Sequence, residues 1–138
     1  MLYVQKGFDE LRPILERTNI LLINESELRL LCNGSEAPVN ELVISFLDLG
    51  IETVVVKQGS KGVYATNGSE ECQVCTYECD VVDTTGAGDS FNSGFLYSYL
   101  KGYDLEKSCR IANWVASKAI EGFGMEKFPS LKELEDFF

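Results

Sequence analysis

Asp83-Thr84-Thr85-Gly86-Ala87-Gly88-Asp89 is the stretch that decides the fold. Before it stand two β-branched residues, Val81 and Val82, which read as a last short strand. After it comes Ser90 to Lys101, apolar and aromatic on most sides, which predicts a deeply buried helix beginning near Asp89. Small residues at Gly86, Ala87 and Gly88 let backbone N–H groups converge on one point. A helix N-terminus adds its unpaired donors and the positive end of its dipole. The natural guest of such a loop is a phosphate, or the charge developing on a transferring phosphoryl group. Asp89 lies beside it as a carboxylate that could take the proton of an attacking hydroxyl. The same residue also reads as a helix N-cap with no chemistry attached. Two other phosphate motifs are excluded. Phe91 stands where the third glycine of G-x-G-x-x-G would fall, and no Gly-Lys-Ser/Thr triplet occurs.

Outward from this loop, the chain alternates strands and helices. Phe8 to Arg17 has helical spacing, interrupted at Pro13. Asn19 to Ile23 is a continuous apolar run, as in a buried strand. Asn24-Glu25-Ser26-Glu27 opens a short amphipathic helix closed by Asn33-Gly34, and Val39 to Leu49 reads as another helix stopped at Gly50. Thr53 to Val56 is a β-branched strand. Gly59-Ser60-Lys61-Gly62 turns the chain into Val63 to Thr66, and Asn67-Gly68 signals a hairpin into the strand Glu70 to Tyr77. Asp104 caps a long helix reaching about Glu121, with Leu105, Cys109, Ala112, Val115, Ala116 and Ala119 on one stripe. Gly122-Phe123-Gly124 breaks it, and Pro129-Ser130 starts a closing helix. The expected architecture is a layered α/β sheet, largely parallel, with one antiparallel hairpin.

Composition narrows the function. The chain has 138 residues, enough for one domain, with 45% hydrophobic and 25% charged residues. No apolar run is long enough to span a bilayer and Met1 to Glu10 lacks a signal-peptide layout, so neither a membrane partner nor export is expected and the location expected is cytoplasmic. A net charge of −10 argues against nucleic acid as a partner. Histidine is absent, which excludes imidazole catalysis and His-ligated metals and leaves a carboxylate, Lys, Tyr or Cys as general base. Cys72, Cys75 and Cys79 have a spacing that raises a metal or redox centre as an alternative. On a strand, however, residues three apart face opposite sides, so small buried hydrophobes are the simpler reading.

Asp83 to Asp89, followed by Ser90-Phe91-Asn92-Ser93-Gly94, resembles the C-terminal signature of the ribokinase (PfkB) family of small-molecule kinases. Asn24-Glu25-Ser26-Glu27 resembles that family's N-x-x-E element. Val54 to Gly62 resembles its V-x-x-G-x-x-G segment, and Gly122 to Gly124 with Pro129-Ser130 resembles its late loop. The resemblance extends from Asn19 to the end. It implies a three-layer α/β/α ribokinase-like (Rossmann-like) sheet, incomplete here, because the N-terminal part with the substrate pocket and lid would be missing from residues 1–138. The chain would be a single C-terminal nucleotide-binding domain.

The same resemblance implies roles. Asp89 would be the general base, and the N–H groups of Gly86, Ala87 and Gly88 the anion hole. Asn24 and Glu27 would organise Mg2+ near the ATP phosphates. Lys57, Gly59 and Gly62 would approach the nucleotide, Asn113 would lie beside the adenine, and the Gly122–Gly124 loop would close over it. Asp83 and Thr85 would contribute to a monovalent-cation (K+) site. Trp114 reads as core or interface, and Asn113 also reads as an ordinary polar position on its helix. The implied activity is phosphorylation of a sugar or nucleoside hydroxyl by ATP, with the isolated chain poorly active. The alternative is a non-catalytic nucleotide-binding or structural remnant. An incomplete sheet also implies association, with a second copy or a complementing N-terminal half, and Met1 to Arg17 could cover part of the exposed face.

Overall fold

The computed structural model describes residues 7–138, so the first six positions of the proposed covering segment lie outside the described residues. The chain divides into two compact units, one of residues up to Gly59 with Val63–Gln73, the other of Ser60–Gly62 with Val74–Phe138.

The first unit is built on a mixed sheet. Helix α1 (Phe8–Leu15) leads into strand β1 (Ile20–Asn24), helix α2 (Glu25–Leu31), and two short helices, α3 (Val39–Leu42) and α4 (Ile44–Leu47). Strands β2 (Thr53–Lys57), β3 (Val63–Thr66) and β4 (Glu71–Val74) follow, and the strand order is β1-β2-β3-β4. β1 and β2 run parallel, with Asn24 opposite Lys57, whereas β2 and β3 run antiparallel. The parallel share is therefore smaller than the alternation of elements suggests. The β3–β4 turn is organised by Asn67, whose side-chain oxygen accepts from the N–H groups of Ser69 and Glu70. Leu28, Leu31, Val43, Phe46, Ile51, Val54 and Val56 form the core, each worth ~1.5–3 kcal/mol on burial.

Two local expectations change. The helix from Val39 breaks at Val43, where the β-branched pair Val43-Ile44 sits, and ends with Gly50 N–H on Leu47 O and Ile51 N–H on Phe46 O. β1 is apolar, yet only Ile23 is buried in it, because it forms the end of the sheet among the described strands.

The second unit is helical: α5 (Ala87–Leu100), α6 (Leu105–Ala119) and α7 (Leu131–Phe137). α5 and α6 pack closely at Gly94, where a Cβ would sit 3.0 Å from the Ala112 Cα. α6 is buried on more than a stripe. Ser108, Ile111, Asn113, Trp114 and Ser117 are also inside, and Trp114 stacks on Phe137 with ring centres 4.9 Å apart. α5 is not deeply buried throughout: it buries Phe91, Gly94, Phe95 and Ser98 but exposes Leu96, Tyr99 and Leu100. Val81 and Val82 form no strand. They are exposed, and the N–H groups of Val82 and Asp83 donate instead to Ile120 O at the end of α6. No helix among the described residues is long and apolar enough to cross a membrane.

Candidate nucleotide site

The Gly-rich loop arrives at α5 through an Asx turn: Asp83 Oδ1 accepts from Thr85 N–H at 2.9 Å. That hydrogen bond holds the Asp83 carboxyl below its ordinary range, so it stays ionised. Ala87 N–H then donates to Thr84 O, and Gly86 takes the N-cap position in the left-handed region, φ +79°. Few residues other than glycine accept that conformation. The helices α2, α6 and α7 are capped by the side chains of Asn24, Asp104 and Ser130, whereas α5, like α1, α3 and α4, has no side-chain cap. With Ala87 N–H on Thr84 O, the next first-turn N–H groups, those of Gly88 and Asp89, are left for a partner from outside the helix, and an anion suits both their hydrogens and the dipole. Asp89 lies in the first turn, exposed, two positions beyond the helix start. It is therefore not the N-cap.

In the other unit, Asn24 and Glu27 close a reciprocal capping box. Glu27 N–H donates to Asn24 Oδ1 at 2.8 Å, and Asn24 N–H donates to Glu27 Oε2 at 3.3 Å. Asn24 ends β1 opposite Lys57, which ends β2, so the sheet register brings these two to the same strand ends, and the capping box holds Glu27, in the first turn of α2, beside Asn24. Gly59 begins a 3₁₀ turn to Lys61 with φ +60°. A carboxylate, an amide and an ammonium at strand ends are the donor set expected beside a metal-bound phosphate.

Gly62 and Asn113 meet on one short piece of backbone. Gly62 approaches Val74 so closely that a Cβ would lie 1.9 Å from its carbonyl oxygen. Asn113 is buried, and its Nδ2 donates to Val74 O at 3.2 Å and Cys75 O at 3.0 Å. Its amide hydrogens thus fasten the exit of β4, and it is not a solvent-facing polar position. Thr76 Oγ1 adds a bond to Ser60 O at 3.3 Å. Gly122 and Gly124 lie in a turn after α6 where Phe123 N–H donates to Glu126 Oε2 and Phe123 and Met125 are exposed.

The cysteines do not form the buried set expected of small hydrophobes. Cys75 is exposed, Cys72 and Cys79 are half-buried, and Cys109 is buried. Burial raises the Cys79 thiol pKa, and no group of three His, Cys, Asp or Glu able to hold a metal occurs among the described residues. Sequence reading missed Glu25, Arg29 and Gln58, which hold the strand end to α2, and Thr76. The signal lay in the pairing of distant positions, which a single sequence does not display.

The pfkB family carbohydrate kinase model matches residues 4–131. An uncharacterized sugar kinase of Archaeoglobus fulgidus is 44% identical over 124 residues, covering 90% of this chain and 48% of that protein. A nucleoside kinase of Methanocaldococcus jannaschii is 35% identical over 123 residues, covering 88% of this chain and 39% of that protein. The chain thus spans less than half the length of these curated relatives. Among solved structures, a ribokinase II from E. coli in complex with ATP and Mg2+ superimposes with a TM-score of 0.81 at 32% identity, covering 94% of this chain and 42% of that one. Its fold is thus the ribokinase-like α/β fold, present in part. The chain belongs to the pfkB family of carbohydrate kinases.

Proposed function

We propose that this chain is the C-terminal nucleotide-binding part of an ATP-dependent kinase that phosphorylates a hydroxyl on a sugar or related small molecule, such as a nucleoside. The observation that carries the reading is the uncapped N-terminus of α5, opened by a left-handed Gly86, with an exposed carboxylate in its first turn. The sugar and nucleoside kinase relatives, and the likeness to a ribokinase that holds ATP and Mg2+, support the same chemistry. Bound MgATP would supply the phosphoryl group and the metal charge that neutralises its oxygens. Asp89 accepts the proton of the acceptor hydroxyl. The N–H groups of Gly86 and Gly88 hold the developing negative charge, joined by that of Ala87 once it leaves Thr84 O. Asn24 and Glu27 hold the metal and its waters, Lys57, Gly59 and Gly62 line the phosphate path, and Asn113 with the Gly122–Gly124 loop borders the adenine. Asp83, kept ionised, and Thr85 contribute to a K+ site.

Length favours a second reading beside this one. The chain covers less than half of each relative; if the residues that orient the acceptor belong to the unmatched part, this chain by itself lacks the ~7–11 kcal/mol of barrier reduction that orientation can supply. Alone, the chain acts as a nucleotide-binding module.

A thermal melt with and without MgATP tests the proposal. Wild type is expected to melt higher in MgATP, and Gly86→Val, which forces a branched side chain into the left-handed region, is expected to lose that shift. An unchanged wild-type melt would leave a folded family remnant with no nucleotide role.

A further inference from the structure

The carboxylate of Glu25 is shared between two residues far apart in sequence. Its Oε1 accepts from Arg29 Nη2 at 2.6 Å and Arg29 Nε at 3.1 Å, while its Oε2 accepts from Gln58 Nε2 at 3.0 Å. Arg29 is itself anchored, since its Nη1 donates to Ser35 O at 2.9 Å and Ala37 O at 3.0 Å. Both members of the ion pair are largely shielded, with side-chain exposures of 24% for Arg29 and 22% for Glu25. Shielded, multidentate pairs of this kind hold geometry better than exposed ones. Gln58 immediately follows β2, and Glu25 is the first residue of α2. Their hydrogen bond therefore ties the exit of one parallel strand to the helix that follows its neighbour. On one side of this tie lie Asn24 and Glu27; on the other lie Lys57 and Gly59.

We propose that Glu25 and Gln58 are positioning residues for metal-bound nucleotide: their bridge fixes the spacing between the Asn24–Glu27 element and the Lys57–Gly59 segment. The inference rests on the nucleotide-site reading above. Neither residue need touch the nucleotide. If the bridge breaks, β1–β2 pairing survives, because the backbone register runs through Asn24 and Lys57 irrespective of Glu25. What changes is the freedom of the turn after Lys57 against the first turn of α2. That loss falls on binding that needs both elements at once, which is binding of ATP with its metal.

The test is calorimetric titration of the purified chain with ATP in Mg2+ and with ATP in EDTA, for wild type, Gln58→Ala, Glu25→Ala and Glu25→Gln. Gln58→Ala and Glu25→Ala are expected to weaken MgATP binding about tenfold while metal-free ATP stays within about twofold, and the double variant to be no weaker than either single one. Glu25→Gln keeps the bridge, since its amide can donate to a flipped Gln58, and is expected to stay within about threefold of wild type. Gln58→Ala removes one half-buried amide, so it decides the matter even where Glu25→Ala does not fold. Equal weakening of both ATP forms, or of neither, in Gln58→Ala would overturn the inference while leaving the nucleotide site standing. Wild type that binds neither form would overturn both.

Discussion

Gly62 and Asp89 show the two ways a residue in this chain can matter. At Gly62 the backbone has φ +96° and a side chain would run into the Val74 carbonyl at 1.9 Å. Gly62→Ala is therefore expected to destabilise the fold by roughly 3 kcal/mol or more, read as a lower urea midpoint. Asp89 is exposed in the first turn of α5, where its charge adds only ~0.3–1 kcal/mol through the helix dipole. Asp89→Asn is expected to leave the melt and the MgATP response nearly intact. In a reconstituted kinase it is expected to cut phosphoryl transfer by ~10²–10⁴, and a variant that transfers normally would remove Asp89 from the chemistry. Asp89 was legible in the sequence because its whole motif is contiguous. The Glu25–Gln58 bridge was not, because its partners are 33 positions apart and neither residue type announces a tie.

At the scale of elements, what is local was legible and what is settled by distant packing was not. The capped starts of α2, α6 and α7 follow from Asn24, Asp104 and Ser130, each three positions before the N–H group that donates to its side chain. The strand expected at Val81-Val82 depends on a neighbour, and Ile120 O takes its N–H groups instead. The break at Val43 and the exposed side of α5 belong to the same class. α7 gives a pH test of a cap. Ser130 N–H donates to Glu133 Oε2 at 2.8 Å and Ser130 Oγ at 2.7 Å, holding the Glu133 carboxyl below its ordinary 4.5. A depressed folded pKa means the ionised form stabilises α7; that contribution is present above 4.5 and fades as pH falls through the folded value. Wild type is thus expected to melt above Glu133→Gln at pH 7, with the two converging in acid. A gap that persists at low pH would contradict the assignment.

For the whole molecule, the fold places an apolar stripe on the outside. Leu96, Tyr99, Leu100 and Tyr103 recur at helical spacing along and just beyond α5, and Leu100 is 84% exposed. β1, also apolar, ends the described sheet. Relatives about twice as long carry further chain that this one does not match. Association is therefore expected, with a second copy or a complementing half, and light scattering at micromolar concentration should report a mass above 15.4 kDa. A clean monomer would count against it. Whatever its assembly, this chain is expected to be a working nucleotide half. Calorimetric titration of MgATP into the purified chain tests it most directly: a saturable heat with one site per chain is the predicted result, and a flat titration of a cooperatively folded protein would contradict it.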